Sequence, residues 1–233
     1  MSLVRVYPIH EKVCTVQLEK LISPDTFQVL ERIQQAILKK FEKEITESTL
    51  SYTSATFFLQ NEKNLDEYCI QFQQLATAVL NNQRLVKKNE RTTIRIPVCY
   101  DISFAPDLVA ASDKLMRSKE EIIKLHMLPK YQVYTIGFVP GFPYMGEVDA
   151  RLNLPRKTTP ATRVAPGSVA IAGLQTGIYP VEVAGGWHVI GRTPSKLFDK
   201  HREKPCLLEA GDQVEFYQIT KEEFENWNES DCT

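Results

Sequence analysis

Between positions 163 and 193 stand Arg163, Ser168, Gln175, Thr176, Tyr179, His188, Arg192 and Thr193. The two arginines each lie beside a turn among apolar or small residues. A guanidinium in a dry neighbourhood needs a partner. That partner is either an internal carboxylate, such as Glu182, or the carboxylate or phosphate of a ligand, which arginine can grip with two parallel hydrogen bonds. Ser168, Gln175, Thr176 and Tyr179 add neutral hydrogen-bonding groups nearby. Together they read as a recognition set for an anion plus an amide, although each alone is also an ordinary turn residue. His188 follows Trp187 after the pair Gly185-Gly186. Neighbours in a strand point to opposite faces, which assigns Trp187 to the core and His188 to a groove or to solvent. A Ser-His-Asp triad is defined by geometry and not by chain order, so none is argued from these residues.

The elements that must hold these groups are short. Nine of the ten glycines fall between Gly137 and Gly191, with Gly211 the exception. Glycine serves where the backbone turns left-handed or another group comes close, so this half of the chain reads as short strands and tight turns. The expected strands cover residues 133–139, 168–172, 177–183, 187–191 and 214–219, with a further strand residue at Val164 and a turn at 209–213. Such a density of short strands favours a closed or nearly closed antiparallel barrel. The stretch 137–146 is not a phosphate loop: it lacks G-x-x-x-x-G-K-[ST], and aromatic residues with Pro140 and Pro143 stand where Lys and Ser are needed. It reads as an aromatic-rich turn.

The other half is nearly free of glycine. Residues 4–9 and 13–18 read as two strands. Ser23 with Pro24 opens a helix whose stripe is Phe27, Leu30, Ile33, Ile37, Leu38 and Phe41. Residues 49–59 read as one strand. Asn64 caps a second helix bearing Leu65, Tyr68, Cys69, Phe72, Leu75, Val79 and Leu80. Residues 92–98 form a further strand. A small sheet covered on one face by two helices buries both stripes. The fold class is α+β: a small N-terminal α/β sandwich, residues 1–95, then a barrel domain, residues 96–233. In the second domain Pro106 starts a short helix, Ser118-x-x-Glu121 reads as a capping box, and a short fraying helix begins at Lys221.

Composition narrows the function. A chain of 233 residues with 43% hydrophobic and 24% charged residues is an ordinary globular protein. A net charge of -1 and the lack of a basic stripe argue against nucleic-acid binding. No apolar run approaches the ~20 residues that span a bilayer, and the first residues lack a signal-peptide pattern. Cys14, Cys69, Cys99, Cys206 and Cys232 are odd in number and contain no C-x-x-C pair, so neither a zinc site nor a disulfide framework is indicated. Reduced cysteines in a cytoplasmic protein are expected.

Four motifs stand together in one order and spacing: Gly137-Phe138-Val139-Pro140-Gly141-Phe142, residues 163–168, residues 175–180, and Gly185-Gly186-Trp187 leading to Ile190-Gly191-Arg192-Thr193-Pro194. Pro155-Arg156 and Cys99-Tyr100-Asp101 fit as well. In these the chain resembles, over its whole length, the family called allophanate hydrolase subunit 1, KipI or PxpB. It departs at Val164-Ala165-Pro166-Gly167, where the family usually has Pro-Ala-Gly, so the turn there is expected to differ in shape.

The resemblance implies a cyclophilin-like barrel and one of two roles. The first is the B-type subunit (PxpB) of an ATP-dependent 5-oxoprolinase, which opens the lactam of 5-oxoproline to glutamate together with A-type and C-type partners (PxpA and PxpC, the latter KipA-like). ATP then enters through the complex, and no metal site belongs to this chain. In that role Arg163 or Arg192 holds a carboxylate or acyl phosphate, with Ser168, Tyr179 and Thr193 beside them. Gln175, Thr176 and His188 polarise or protonate the opening lactam. The second role is KipI-type inhibition of a sporulation histidine kinase, with Phe138, Phe142, Tyr144 and Trp187 as anchors on an apolar groove. Prolyl isomerisation rests on fold analogy alone and ranks last.

Overall fold

A computed structural model describes residues 4–61, 64–82 and 93–228; Cys232 lies outside them. The chain divides into two units, Met1–Glu90 and Arg91–Thr233.

The first unit contains β1 (Val4–His10), β2 (Val13–Leu18), α1 (Pro24–Lys40), β3 (Ile45–Ser51), β4 (Ser54–Leu59) and α2 (Leu65–Asn81). Its sheet runs β1-β2-β4-β3, antiparallel throughout. Ser23 starts α1 as the sequence suggests: its backbone is extended and its hydroxyl accepts the Thr26 N–H at 3.1 Å. One stripe of α1 (Phe27, Leu30, Ile33, Ile37) is fully buried, as are Phe72 and Ala76 of α2. Strand alternation supplies the opposing surface: Cys14, Val16 and Leu18 from β2, and Ala55, Phe57 and Leu59 from β4. Phe72 is the keystone, edge-on to Phe41 at 5.2 Å and to Phe57 at 5.1 Å.

Three local expectations change here. Residues 49–59 are not one strand but parts of two, because Tyr52 takes φ 51 and turns the chain between β3 and β4. No glycine or proline marks that turn, and the Ser54 hydroxyl closes it on the Ser51 carbonyl at 3.1 Å. Asn64 precedes α2 with φ 64 but its side chain caps nothing. The strand placed at 92–98 in the N-terminal domain is β5 (Thr93–Cys99), and it pairs in the barrel instead.

The second unit continues with α3 (Leu108–Leu115), α4 (Lys119–Met127), β6 (Tyr131–Ile136), β7 (Pro143–Gly146), β8 (Ala161–Val164), β9 (Ser168–Ala172), β10 (Gln175–Ile178), β11 (Val183–Gly185), β12 (His188–Arg192), β13 (Gln213–Ile219) and α5 (Lys221–Glu225). Seven strands close a barrel in the order β10-β7-β6-β13-β5-β12-β9, and β8 and β11 pair as a separate ribbon. The barrel is mixed and not antiparallel as expected, because β13 runs parallel to β5 from Gln213 opposite Thr93 to Ile219 opposite Cys99. Strand polarity is set by the path of the connections, which periodicity does not encode. The expected strand 177–183 is split between β10 and β11 at Pro180, which has no N–H for a ladder. Ser118 caps α4 by accepting the Glu121 N–H, but Glu121 turns its carboxylate to Arg117, so the box is half made. Thr220 and Glu223 form the complete one at α5.

Every residue of β9 is buried, and alternation explains how. Val169 and Ile171 enter the larger apolar cluster with Ile96, Val98, Tyr131, Val133, Ile190 and Phe216, which also takes in Leu108, Ile122 and Leu125 from the helices. Ala170 and Ala172 point the other way, into a smaller cluster of Phe142, Val164, Tyr179, Trp187 and Val189. The strand is a wall between two cores, and the smaller core underlies the candidate site.

Candidate functional site

The site has two adjoining cavities, each lined in part by residues of the β8–β11 ribbon. The first, of about 340 Å³, is lined by Phe138, Phe142, Tyr144, Tyr179 and Trp187, with Arg156, Lys157, Pro160, Ala184, Gly185 and Gly186 at its edge. The second, of about 350 Å³, is lined among others by Ser103, Phe104, Asp107, Arg163, Ser168 and Arg192. Lys157 borders both.

The aromatic cavity is built by close approaches that only glycine permits. A Cβ on Gly185 would stand 2.3 Å from the Tyr179 hydroxyl, and one on Gly177 would stand 2.7 Å from Phe142 Cζ. Phe142 meets Tyr144 at 4.8 Å, Tyr179 at 5.1 Å and Trp187 at 5.5 Å, all edge to face. Burial raises the Tyr179 phenol pKa, and the backbone hydrogen bond from Trp187 works against that rise. Phe138 differs from its neighbours. Val139 N–H donates to the Gly137 carbonyl at 2.8 Å, a three-residue turn with Phe138 at its centre, and that residue takes φ 69. A bulky residue in this region is strained. The turn holds the ring 59% exposed at the cavity mouth.

The second cavity is ionic. Lys157 forms an ion pair with Asp107, whose carboxylate also accepts the Val189 N–H at 2.7 Å. Its backbone N–H donates to the Gly186 carbonyl at 2.8 Å, so Lys157 is held from both ends. Arg163 has found the internal carboxylate that was one of its two alternatives: it contacts Glu182 at 2.6 and 2.9 Å. Both side chains are largely in water, where such pairs contribute little. Arg163→Ala is therefore expected to change unfolding stability by about 1 kcal/mol at most, measured by urea denaturation. Arg192 is different. Its Nε donates to the Pro166 carbonyl at 2.7 Å, and its guanidinium lies 6.0 and 5.9 Å from the Phe104 and Phe224 ring centres. Among the described residues no carboxylate pairs with it.

Of the remaining expected site residues, only Ser168 lines either of these cavities. Ser168 is buried at the edge of the second cavity. Thr193 is buried, and its hydroxyl accepts the Ser195 N–H at 3.1 Å. Together with Arg192 it lines a third hollow of about 310 Å³. Gln175 is half-buried at the start of β10. His188 is not in a groove or in solvent: like Trp187 it is buried, and its Nε2 is 2.9 Å from the Pro155 carbonyl. Burial lowers its pKa, and the bond to Pro155 opposes that shift. Both faces of β12 are covered, so the alternation argument, which assumed one wet face, fails there.

Thr176 belongs to a buried chain that the sequence did not reveal. Its hydroxyl donates to the Ala170 carbonyl at 3.1 Å, so it must accept from His126 Nε2 at 2.9 Å. His126 Nδ1 is then unprotonated and accepts from the Tyr100 hydroxyl at 2.9 Å. The ring stacks on Phe216 at 4.7 Å. Complete burial lowers the His126 pKa to about 3, which keeps the imidazole neutral. Arg156, Lys157 and Asp107 were also missed as site residues. The adjacent basic pair after Pro155 was the one visible signal. Among the described residues no cluster of His, Cys, Asp and Glu could hold a metal ion, and no helix is long and apolar enough to cross a membrane.

The chain is thus an α+β protein with a closed mixed barrel, a separate two-stranded ribbon and adjoining aromatic and ionic hollows. The chain belongs to the family described as carboxyltransferase domain, subdomain C and D, whose model matches residues 4–208. It is 44% identical over 139 residues to the B-type subunit of 5-oxoprolinase from Bacillus subtilis, a match spanning 60% of this chain and 58% of that protein. It is 32% identical over 221 residues to the B-type subunit of 5-oxoprolinase from Escherichia coli O157:H7, spanning 93% of this chain and 96% of that one. The crystal structure of TTHA0988 superposes with a TM-score of 0.74 at 31% identity, covering 93% of this chain and 40% of that chain.

Proposed function

We propose that this chain is the B-type subunit of an ATP-dependent 5-oxoprolinase, acting with partner subunits to open 5-oxoproline to glutamate. The observation that carries the reading is the near end-to-end likeness to the Escherichia coli protein. The site chemistry agrees with it. The substrate is a small ring bearing a carboxylate and an amide. An aromatic cavity suits the ring, and the guanidinium of Arg192 suits the carboxylate or an acyl phosphate made from it. ATP enters through the complex, since the chain has no phosphate-loop motif of its own. The Thr176 hydroxyl is committed to Ala170 and His126, and His188 Nε2 to the Pro155 carbonyl, so their part in this proposal is to tie β10 to β9 and β12 to the segment at Pro155. Gln175 remains a candidate to polarise the amide.

The test is 5-oxoproline-dependent ATP hydrolysis by the mixed subunits. Omitting this chain is expected to abolish the rate, and an unchanged rate overturns the reading. Arg192→Lys is expected to leave the unfolding midpoint of the isolated chain in place while weakening the assembled reaction by roughly 2–5 kcal/mol, because lysine cannot bind a carboxylate bidentately. A midpoint that falls by several degrees would instead make Arg192 a structural residue.

A further inference from the structure

Two of the cysteines expected to be unconnected thiols are in contact. Cys14 Sγ of β2 lies 3.0 Å from Cys69 Sγ of α2, although the residues are 55 positions apart. The contact follows from the local architecture. β2 alternates with Cys14, Val16 and Leu18 facing the core, and α2 packs on β1 and β2 with Cys69 one turn before Phe72. The two sulfurs are therefore positioned by a strand and a helix, each fixed by its own buried face. Their exposures differ. Cys14 is fully buried, whereas Cys69 is partly open to solvent.

We propose that Cys14 and Cys69 form a reversible modification site, a disulfide made by a peroxide that staples α2 to the sheet of the N-terminal unit. The exposure difference sets the order of events. The Cys69 thiolate attacks a peroxide oxygen, the O–O bond breaks, and hydroxide leaves and takes up a proton to become water. This gives the sulfenic acid of Cys69. Cys14 then attacks that sulfur: the S–S bond forms, the S–O bond breaks, and the departing oxygen leaves as a second water with the proton Cys14 gives up. In total two thiols are oxidised, one hydrogen peroxide is reduced, and two waters are formed. Burial raises the Cys14 pKa, so it reacts only with a sulfenic sulfur already beside it and not with peroxide from solution. The resulting loop encloses α1, β3 and β4, and a cross-link over that length of chain stabilises by restricting the unfolded state.

The experiment treats the full chain with hydrogen peroxide, quenches it in acid, alkylates it and maps the peptides. The expected result is a Cys14–Cys69 linked peptide, with Cys99 and Cys206 recovered as alkylated thiols. The unfolding midpoint of the full chain should rise by roughly 5–10 °C and return after dithiothreitol. Cys69→Ser, a mild change at a half-exposed position, should show neither the link nor the rise. Cys69 recovered as sulfinic acid with Cys14 unlinked would overturn the proposal. A linked peptide with no change in unfolding temperature would overturn it too.

Discussion

Phe142→Ala is expected to lower the stability of the barrel unit by about 3–5 kcal/mol, the usual cost of emptying a large aromatic site. The ring is 1% exposed and meets four other rings edge-on: Phe138, Tyr144, Tyr179 and Trp187. It also fills the space that Gly177 leaves open, so no neighbour stands ready to occupy the void. Phe138→Ala makes the contrast. That ring is mostly exposed and its backbone is strained, so its loss should change stability by less than about 1 kcal/mol. If the cavity receives substrate or a partner, Phe138→Ala loses that function with the fold intact. Urea denaturation of both full-length variants separates the cases. A Phe142→Ala midpoint equal to the wild type would show that the smaller core contributes nothing.

The second large effect is a dependence of stability on pH that runs through His126. Its folded pKa lies near 3, below the ordinary value of 6.5, because burial penalises the charged ring. In the unfolded chain the imidazole takes up a proton below about pH 6.5, while in the folded chain it stays neutral. Stability is therefore fully present above that pH and is lost as pH falls towards 3, by up to about 1.4 kcal/mol per pH unit. The accumulated loss is roughly 3–5 kcal/mol at the acid end. Carboxylates titrate in the lower part of the same range, so the readout is the difference between the wild-type profile and that of His126→Gln. The variant should be flatter between pH 6.5 and 4. Parallel profiles would mean that His126 is charged when folded or hydrated, and would remove the proton assignment along Tyr100, His126 and Thr176.

The helices were the most legible part of the sequence. A fixed period of buried residues and a serine cap located α1, and the buried stripe alone located α2 where its asparagine cap failed. The turn at Tyr52 was invisible because its positive φ is carried by a tyrosine and not by glycine. β5 was misplaced because a strand's sequence reports its burial and not its partner: Thr93–Cys99 reads the same whether it joins one sheet or the other. The cationic character of the second cavity was readable in Arg163 and Arg192, but sequence left open which of them was already paired. Distance decided it, since Glu182 reaches Arg163 and not Arg192. His188 and Thr176 were singled out for their chemistry, and both are buried with a hydrogen bond to a main-chain carbonyl. A polar side chain looks the same in sequence whether it serves a ligand or its own backbone.

The parallel pairing of β13 with β5 sets a timetable for synthesis. The first strand of the barrel leaves the ribosome long before the last, and until Ile219 has emerged β5 has no neighbour on that side. The nascent unit must wait with two open strand edges, β5 and β6, each able to recruit a stray chain. The closing contact is also among the most distant in sequence, so ring closure comes late and slowly. A ribosome stalled before β13 would hold an unclosed barrel, and the burden of keeping that species from aggregating falls on chaperones until the final strand arrives.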